Sequence, residues 1–188
     1  KQYNYYKLVQ KIKNIPYFNI IKLKIPPLYV NIVKKLHWGV FMNRNMFCWL
    51  ESLRSSDKKK VIPVISSPGA RLIGTSIGKL VRDSSLQTEC IAAVVKRIDP
   101  AAAVSLMDLS VEAECFGART EFMENEVPSV KGALVSSAAD AHKLRIPDLT
   151  AGRAGVYLDT LKKVKDRIDD RPVLAGVIGP FSLAGRLV

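Results

Sequence analysis

Residues 101–109 read AAAVSLMDL, an apolar run whose one charge, Asp108, stands just before its C-terminal end. A run this short and this unbroken predicts a strand covered on both faces, as in a parallel sheet. Downstream, Ser110 to Phe116 predicts a short helix stopped by Gly117, and Ala118 to Met123 an extended stretch entering a loop around Pro128. Upstream, Ser84 and Gln87 read as a capping box for a helix over about 85–98, with Leu86, Cys90, Ala93 and Val94 on one face and Pro100 after it. Cys90 is then core. Further out, VIPVIS (61–66) predicts a buried strand opening into the Pro68-Gly69 turn, and Met46, Trp49, Leu50 and Leu53 keep the spacing of an amphipathic helix. On the other side, Tyr157, Leu161, Val164 and Ile168 mark a long helix over about 152–169. VLAGVI (173–178) predicts a third strand, and a helix begins at Phe181 after the Gly179-Pro180 break. Strands alternating with helices of this length argue for a parallel α/β architecture, whose chemistry sits on loops at the C-terminal strand ends.

The 188 residues are 48% apolar and 24% charged, which excludes disorder along most of the chain. Lysines 22, 24, 34 and 35 interrupt the most apolar part of the first forty positions, so no membrane-spanning helix is expected. Cys48, Cys90 and Cys115 are odd in number with no close pair, which indicates neither a disulfide framework nor a structural zinc module and fits a reducing cytoplasm. The net charge of +12 is unevenly spread: residues 1–41 hold eight lysines and no acid. The remainder is only mildly basic, and no face with base-reading or stacking groups is evident, so nucleic acid is not an expected partner. Residues 1–41 are rich in Lys, Ile, Asn and Tyr, lack Ala, and carry Pro16, Pro26 and Pro27. We read them as a basic leader outside the fold, with Met42 or Met46 as the start of the domain over 42–188; the alternative is a basic arm that binds an acidic partner.

Several motifs invite chemistry and decline it. Gly74 to Leu80, GTSIGKL, resembles a phosphate loop but is one residue short and lacks the Ser or Thr after lysine that would hold magnesium. No G-x-G-x-x-G follows a strand, and no nucleophile elbow is present. His142 reads as a surface histidine, and Cys115 as a thiol buried near Gly117. Glu112 and Glu114 read as first-turn helix residues favoured by the helix dipole rather than a general acid/base pair. Asp108 has two readings, a reactive carboxylate in a cleft or a cap for the helix near Ser110.

The stretches MDLSVEAECFGARTEF (107–122), VPSV (127–130) and RIPDLTAGRAGVYLDTLKKVKDRIDDRPVLAGVIGPFSLAG (145–185) resemble the uroporphyrinogen decarboxylase superfamily in content, order and spacing. VIPVISSPGARLIG (61–74) and DLSVEAE (108–114) are more similar to its corrinoid-dependent methyltransferases, which move a methyl group from methylcobalamin to a thiol, than to the decarboxylase. Where the decarboxylase offers two arginines for tetrapyrrole carboxylates, this chain has Ser66-Ser67-Pro68-Gly69-Ala70-Arg71. The resemblance implies a (β/α)8 TIM barrel of which about three strands, the N-terminal part, are present: a truncated chain expected to be inactive alone. A homo-oligomer of the full-length form is left open. It implies Asp108 as catalytic, and Gly69, Arg71, Gly179, Pro180, Phe181 and Ser182 as substrate-binding.

In the methyltransferase reading the cofactors are zinc and a methylcorrinoid, with a corrinoid protein or free methylcobalamin and a thiol acceptor as partners. The zinc would lower the pKa of the thiol, held by a His-x-Cys pair and a distant Cys expected beyond residue 188, so no metal ligand is assigned here. In the decarboxylase reading no cofactor is needed, and Asp108 would hold the pyrrole N–H groups and stabilise the positive charge formed on ring protonation. A reading of another class is a non-catalytic fragment or a basic-arm interaction module.

Overall fold

A computed structural model describes residues 46–188, and the expectation for residues 1–41 lies outside them. Helix α1 (Met46–Arg54) follows the predicted amphipathic spacing and buries Trp49, whose indole N–H donates to Ala101 O at 3.1 Å. After a single helical turn, α2 (Ser66–Gly69), a 3-10 turn over Ala70–Ile73 and a second short turn, α3 (Ile77–Leu80), comes the long helix α4 (Ser84–Ile98). Its cap is Asp83, which accepts from Ser85 N and Leu86 N at 2.7 and 2.9 Å; the expected capping box from Ser84 and Gln87 does not form. Asp83 wins because its backbone, one residue earlier, has the extended conformation a cap requires and its carboxylate then reaches the free N–H groups. Gln87 turns inward, fully buried, and its side-chain carbonyl accepts from the Thr160 hydroxyl at 2.9 Å.

The 101–109 run does build a strand, but its laddered part, β1, is only Ala103–Val104. It pairs in parallel with β4 (Val173–Leu174), the expected third strand, in the register Ala103–Val173 and Val104–Leu174. The VIPVIS segment is a correction: residues 61–65 form no ladder, and Val61, Ile62 and Val64 are exposed. Pro63 cannot donate to a ladder, and the bond that ties the segment to the next strand runs from Ala101 N–H to Val61 O. Helix α5 (Val111–Cys115) ends as expected at Gly117, whose φ of 96° only glycine adopts easily. The extended stretch after it becomes β2 (Thr120–Glu121), paired antiparallel with β3 (Ser129–Val130), a hairpin the loop reading around Pro128 did not anticipate. Helix α6 (Ala138–Lys143), also unanticipated, is exposed and capped by Ser137. The long helix α7 (Ala154–Arg167) stands where its apolar spacing put it, and α8 (Pro180–Leu187) begins at the Gly179-Pro180 break.

The main core lies where α4 and α7 pack over β1, with Leu80, Cys90, Ile91, Leu106, Val164 and Ile168 at its centre. At the N-terminal ends of the parallel strands, Arg171 donates to Pro100 O at 2.6 Å and pairs with Asp99 and Asp170, so charge fastens the end opposite the site. Gly78, in the stretch that resembles a phosphate loop, packs instead: a Cβ there would lie 2.8 Å from Met123 O. No helix among the described residues is long and apolar enough to cross a membrane.

Candidate functional site

The chain leaves β1 through Ser105 and Leu106 and turns at Asp108, whose side chain is 2% exposed. One oxygen of Asp108 accepts from the backbone N–H of Ser110 at 2.9 Å and from its hydroxyl at 2.6 Å, a local turn that starts α5. The other accepts from Arg153 Nη1 at 2.5 Å. Arg153 sits just ahead of α7 and is buried; its Nε donates to Glu114 at 2.6 Å and its Nη2 to the Ser110 hydroxyl at 2.7 Å. One planar guanidinium thus joins the exit of β1, the helix α5 and the start of α7, a task that suits its rigid fork of donors. Burial alone would lower the pKa of Arg153; the Asp108 and Glu114 carboxylates outweigh it and hold the pKa above its ordinary value. Gly152, at φ 51°, makes the approach feasible, because a Cβ there would meet Glu114 at 3.1 Å. Phe122 lies 4.8 Å from the Arg153 guanidinium carbon and 3.9 Å from that of Arg82, a favourable ring–cation stack.

In front of this cluster is a pocket of about 370 Å³, formed where residues 105–109 and 175–178 leave the C-terminal ends of β1 and β4. Its wall is mostly apolar, from Met107, Val111, Phe116, Leu149, Leu161 and Ile178 among others, and its charged lining residues are Asp108, Glu112 and Asp148. Glu112 stands in the first turn of α5 as expected, and one of its oxygens also accepts from Ile178 N–H at 3.0 Å and so fixes the loop after β4. Glu114, likewise, is spent on Arg153. Tyr157 projects from α7 into the wall beside Asp108. Burial, followed by the charge of the neighbouring Asp108 carboxylate, pushes its hydroxyl pKa up, so it stays protonated beside that carboxylate, with which it has a side-chain hydrogen-bond interaction.

Of the residues expected at a site, Asp108 stands on the pocket wall. Its carboxylate is taken up by Ser110, the residue at the start of α5, rather than capping that helix's own N–H groups, and Arg153 holds it at the pocket. Gly69 is buried elsewhere, where a Cβ would press on Cys90 Sγ at 2.8 Å. Arg71 is exposed, and Gly179, Pro180, Phe181 and Ser182 form the exposed start of α8; none of these five lines the pocket. His142 is exposed, and Cys115 is only partly buried, its thiol donating to Ala151 O at 3.1 Å. Sequence reasoning missed Arg153 and Tyr157. The first had a weak signal, an arginine among small residues in TAGRAG (150–155); the second was absorbed into the apolar face of its helix.

Zinc does not fit the described residues. No three His, Cys, Asp or Glu side chains among them are grouped as a metal needs. Burial also pushes the Cys90 thiol up to about 11 and raises that of Cys115, the reverse of what thiolate ligands require.

Residues 59–188 match the family model described as uroporphyrinogen decarboxylase (URO-D), and the chain belongs to that family. Within the family its similarity is to the methyltransferases. It is 34% identical over 79 residues to a methylcobamide:CoM methyltransferase, MtbA, of Methanosarcina acetivorans, a match covering 41% of this chain and 23% of that protein. The fold superposes on a methyltransferase from Methanosarcina mazei with a TM-score of 0.64 at 19% identity, over 78% of this chain and 45% of the other. The chain therefore spans less than half of either relative.

Proposed function

We propose that residues 46–188 are part of a corrinoid-dependent methyltransferase built on an eight-stranded barrel, in which a methyl group passes from methylcobalamin, free or on a corrinoid protein, to a thiol. The observation that supports this reading is the pocket at the C-terminal ends of two parallel strands, where barrel enzymes place their reactive groups. Its wall is apolar, and no lysine, arginine or histidine lines it among the described residues. Uroporphyrinogen, with its many carboxylates, calls for cations in that position. Among the described residues the wall's charged groups are Asp108, already paired with Arg153, and the carboxylates Glu112 and Asp148, which disfavour that ligand. The methyltransferase reading is thereby favoured over the decarboxylase one.

In this reading Asp108 is a wall group that Arg153 keeps in place, and the proposal gives these residues the pocket and not the metal. Gly69 acts by packing. Arg71 and residues 179–182 would reach a ligand only if it extended beyond the pocket. The test is equilibrium dialysis of the chain against methylcobalamin and against uroporphyrinogen. Retention of methylcobalamin with no retention of uroporphyrinogen is expected, and the opposite pattern assigns the decarboxylase branch.

A further inference from the structure

Backbone pairing between β1 and β4 gives way to side chains just where the pocket begins. Ala103 N–H donates to Pro172 O and Ser105 N–H to Leu174 O, both at 2.9 Å, so the next rung of a regular parallel ladder would run from Gly176 N–H to Ser105 O. It goes elsewhere. Gly176 N–H donates to the Ser105 hydroxyl at 2.8 Å, and that hydroxyl donates onward to Leu106 O at 3.2 Å. Two residues further along, Ile178 N–H donates to a Glu112 carboxylate oxygen at 3.0 Å. The N–H groups of 176 and 178 thus keep the period of two that a strand presents to its neighbour, but side chains from the opposite wall receive them in place of backbone carbonyls.

This substitution bears on the width of the pocket. Residues 105–109 and 175–178 both line the space of about 370 Å³. A continued ladder would bring the two segments to the ~4.8 Å spacing of adjacent strands and leave little room between them. Gly176 has no side chain to oppose such an approach, whereas a Cβ there would already lie 3.3 Å from Met107 Cε. Val177, next to it, is largely exposed, so the outer side of the segment is free to follow.

We infer that residues 175–178 are a strap at the mouth of the pocket, held open by Ser105 and Glu112 as positioning residues, and able to close when the Gly176 N–H passes from the Ser105 hydroxyl to the Ser105 carbonyl. The inference concerns the strap and holds whichever ligand the pocket takes.

NMR on the full chain reads both states, because an N–H···O=C bond transmits a scalar coupling to the acceptor carbon and a bond to a hydroxyl does not. In the unaltered protein Ile178 N should couple to Glu112 Cδ, and Gly176 N should show no coupling to the Ser105 carbonyl carbon. In Ser105→Ala the second coupling should appear while the Gly176 amide stays as slow to exchange as before, and xenon, which lodges in apolar cavities, should lose its effect on the Val111 and Leu161 methyl shifts. Glu112→Ala should speed exchange of the Ile178 amide by about fivefold or more, the worth of one hydrogen bond, and Glu112→Gln, which keeps an acceptor, should restore it. Faster exchange at Gly176 without the new coupling in Ser105→Ala, or an unchanged xenon response there, overturns the inference, as does an Ile178 amide that exchanges alike in Glu112→Ala and Glu112→Gln. Should Ser105→Ala fail to fold, the Glu112 pair decides: a xenon response lost in Glu112→Ala and recovered in Glu112→Gln upholds the strap, and no difference between them removes it.

Discussion

Removing the guanidinium of Arg153 should be among the most damaging single changes in the described residues. Arg153→Leu keeps an apolar side chain of moderate size but strands Asp108, whose side chain is 2% exposed, and Glu114, whose side chain is 21% exposed. Breaking a buried ion pair by deleting one partner costs about 3–5 kcal/mol, chiefly because the remaining charge has lost both its partner and its water. Asp108 carries most of that cost; Glu114 can turn to solvent and adds less. Against a total stability of ~5–15 kcal/mol, the loss is a large fraction of the whole. In urea, with a slope of ~1–3 kcal/mol per molar, the midpoint should fall by roughly 1–5 M. Adding Asp108→Asn to Arg153→Leu should restore part of the loss, since the neutral amide no longer needs a counter-charge. The comparison is Lys131→Ala, which breaks the exposed pair with Glu121 at 3.0 Å, a type of contact worth ~0–1 kcal/mol. If Arg153→Leu shifted the midpoint no more than Lys131→Ala does, the account of a charge cluster holding the pocket together would be wrong.

Other outcomes follow from the same coordinates. Gly78→Ala should lose ~1–3 kcal/mol in urea titration, because its Cβ would lie 2.8 Å from the backbone oxygen of Met123, which cannot move aside as a side chain tip can. Gly69→Ala presses on Cys90 Sγ and Val94 Cγ2, so its destabilisation should shrink when combined with Cys90→Ala; no interaction between the two in a double-mutant cycle would contradict the packing described. Asp99 is held below the ordinary carboxylate range by its hydrogen bonds to Lys60 and Arg171, and Asp170 by its hydrogen bond to Arg171. The unfolded chain therefore takes up these protons first as pH falls, so their contribution is intact above about pH 5, declines from about pH 4 downward and is gone only once the pH has passed the lowered folded values, and Asp99→Asn should flatten that decline in the urea midpoint. Ellman's reagent at pH 8 should leave Cys90 unmodified until urea unfolds the protein, since its thiol is fully buried and pushed up to about 11.

What the sequence determined by itself was the order and kind of the longer elements. The apolar spacing of Trp49, of Cys90 and Val94, and of Tyr157 and Val164 fixed α1, α4 and α7, because a helix that must bury one face has to repeat at that period. Gly117 and the Gly179-Pro180 pair marked where chain direction changes, for reasons local to a few residues. Four blocks in register were also enough to reach the family. Tertiary structure decided the rest. VIPVIS has every local mark of a buried strand, yet a strand exists only if a neighbour accepts its ladder and covers its faces, and neither condition is written in six residues. The hairpin of β2 and β3 depends on Thr120 meeting Val130 across a loop. The site depended on tertiary structure most of all: Asp108 could be picked out by its place at a strand's end, whereas Arg153 becomes its partner only when the chain brings together residues 45 positions apart. Ion pairing of that kind has no period and no local spacing, so it can be found only after folding has put the charges within reach of each other.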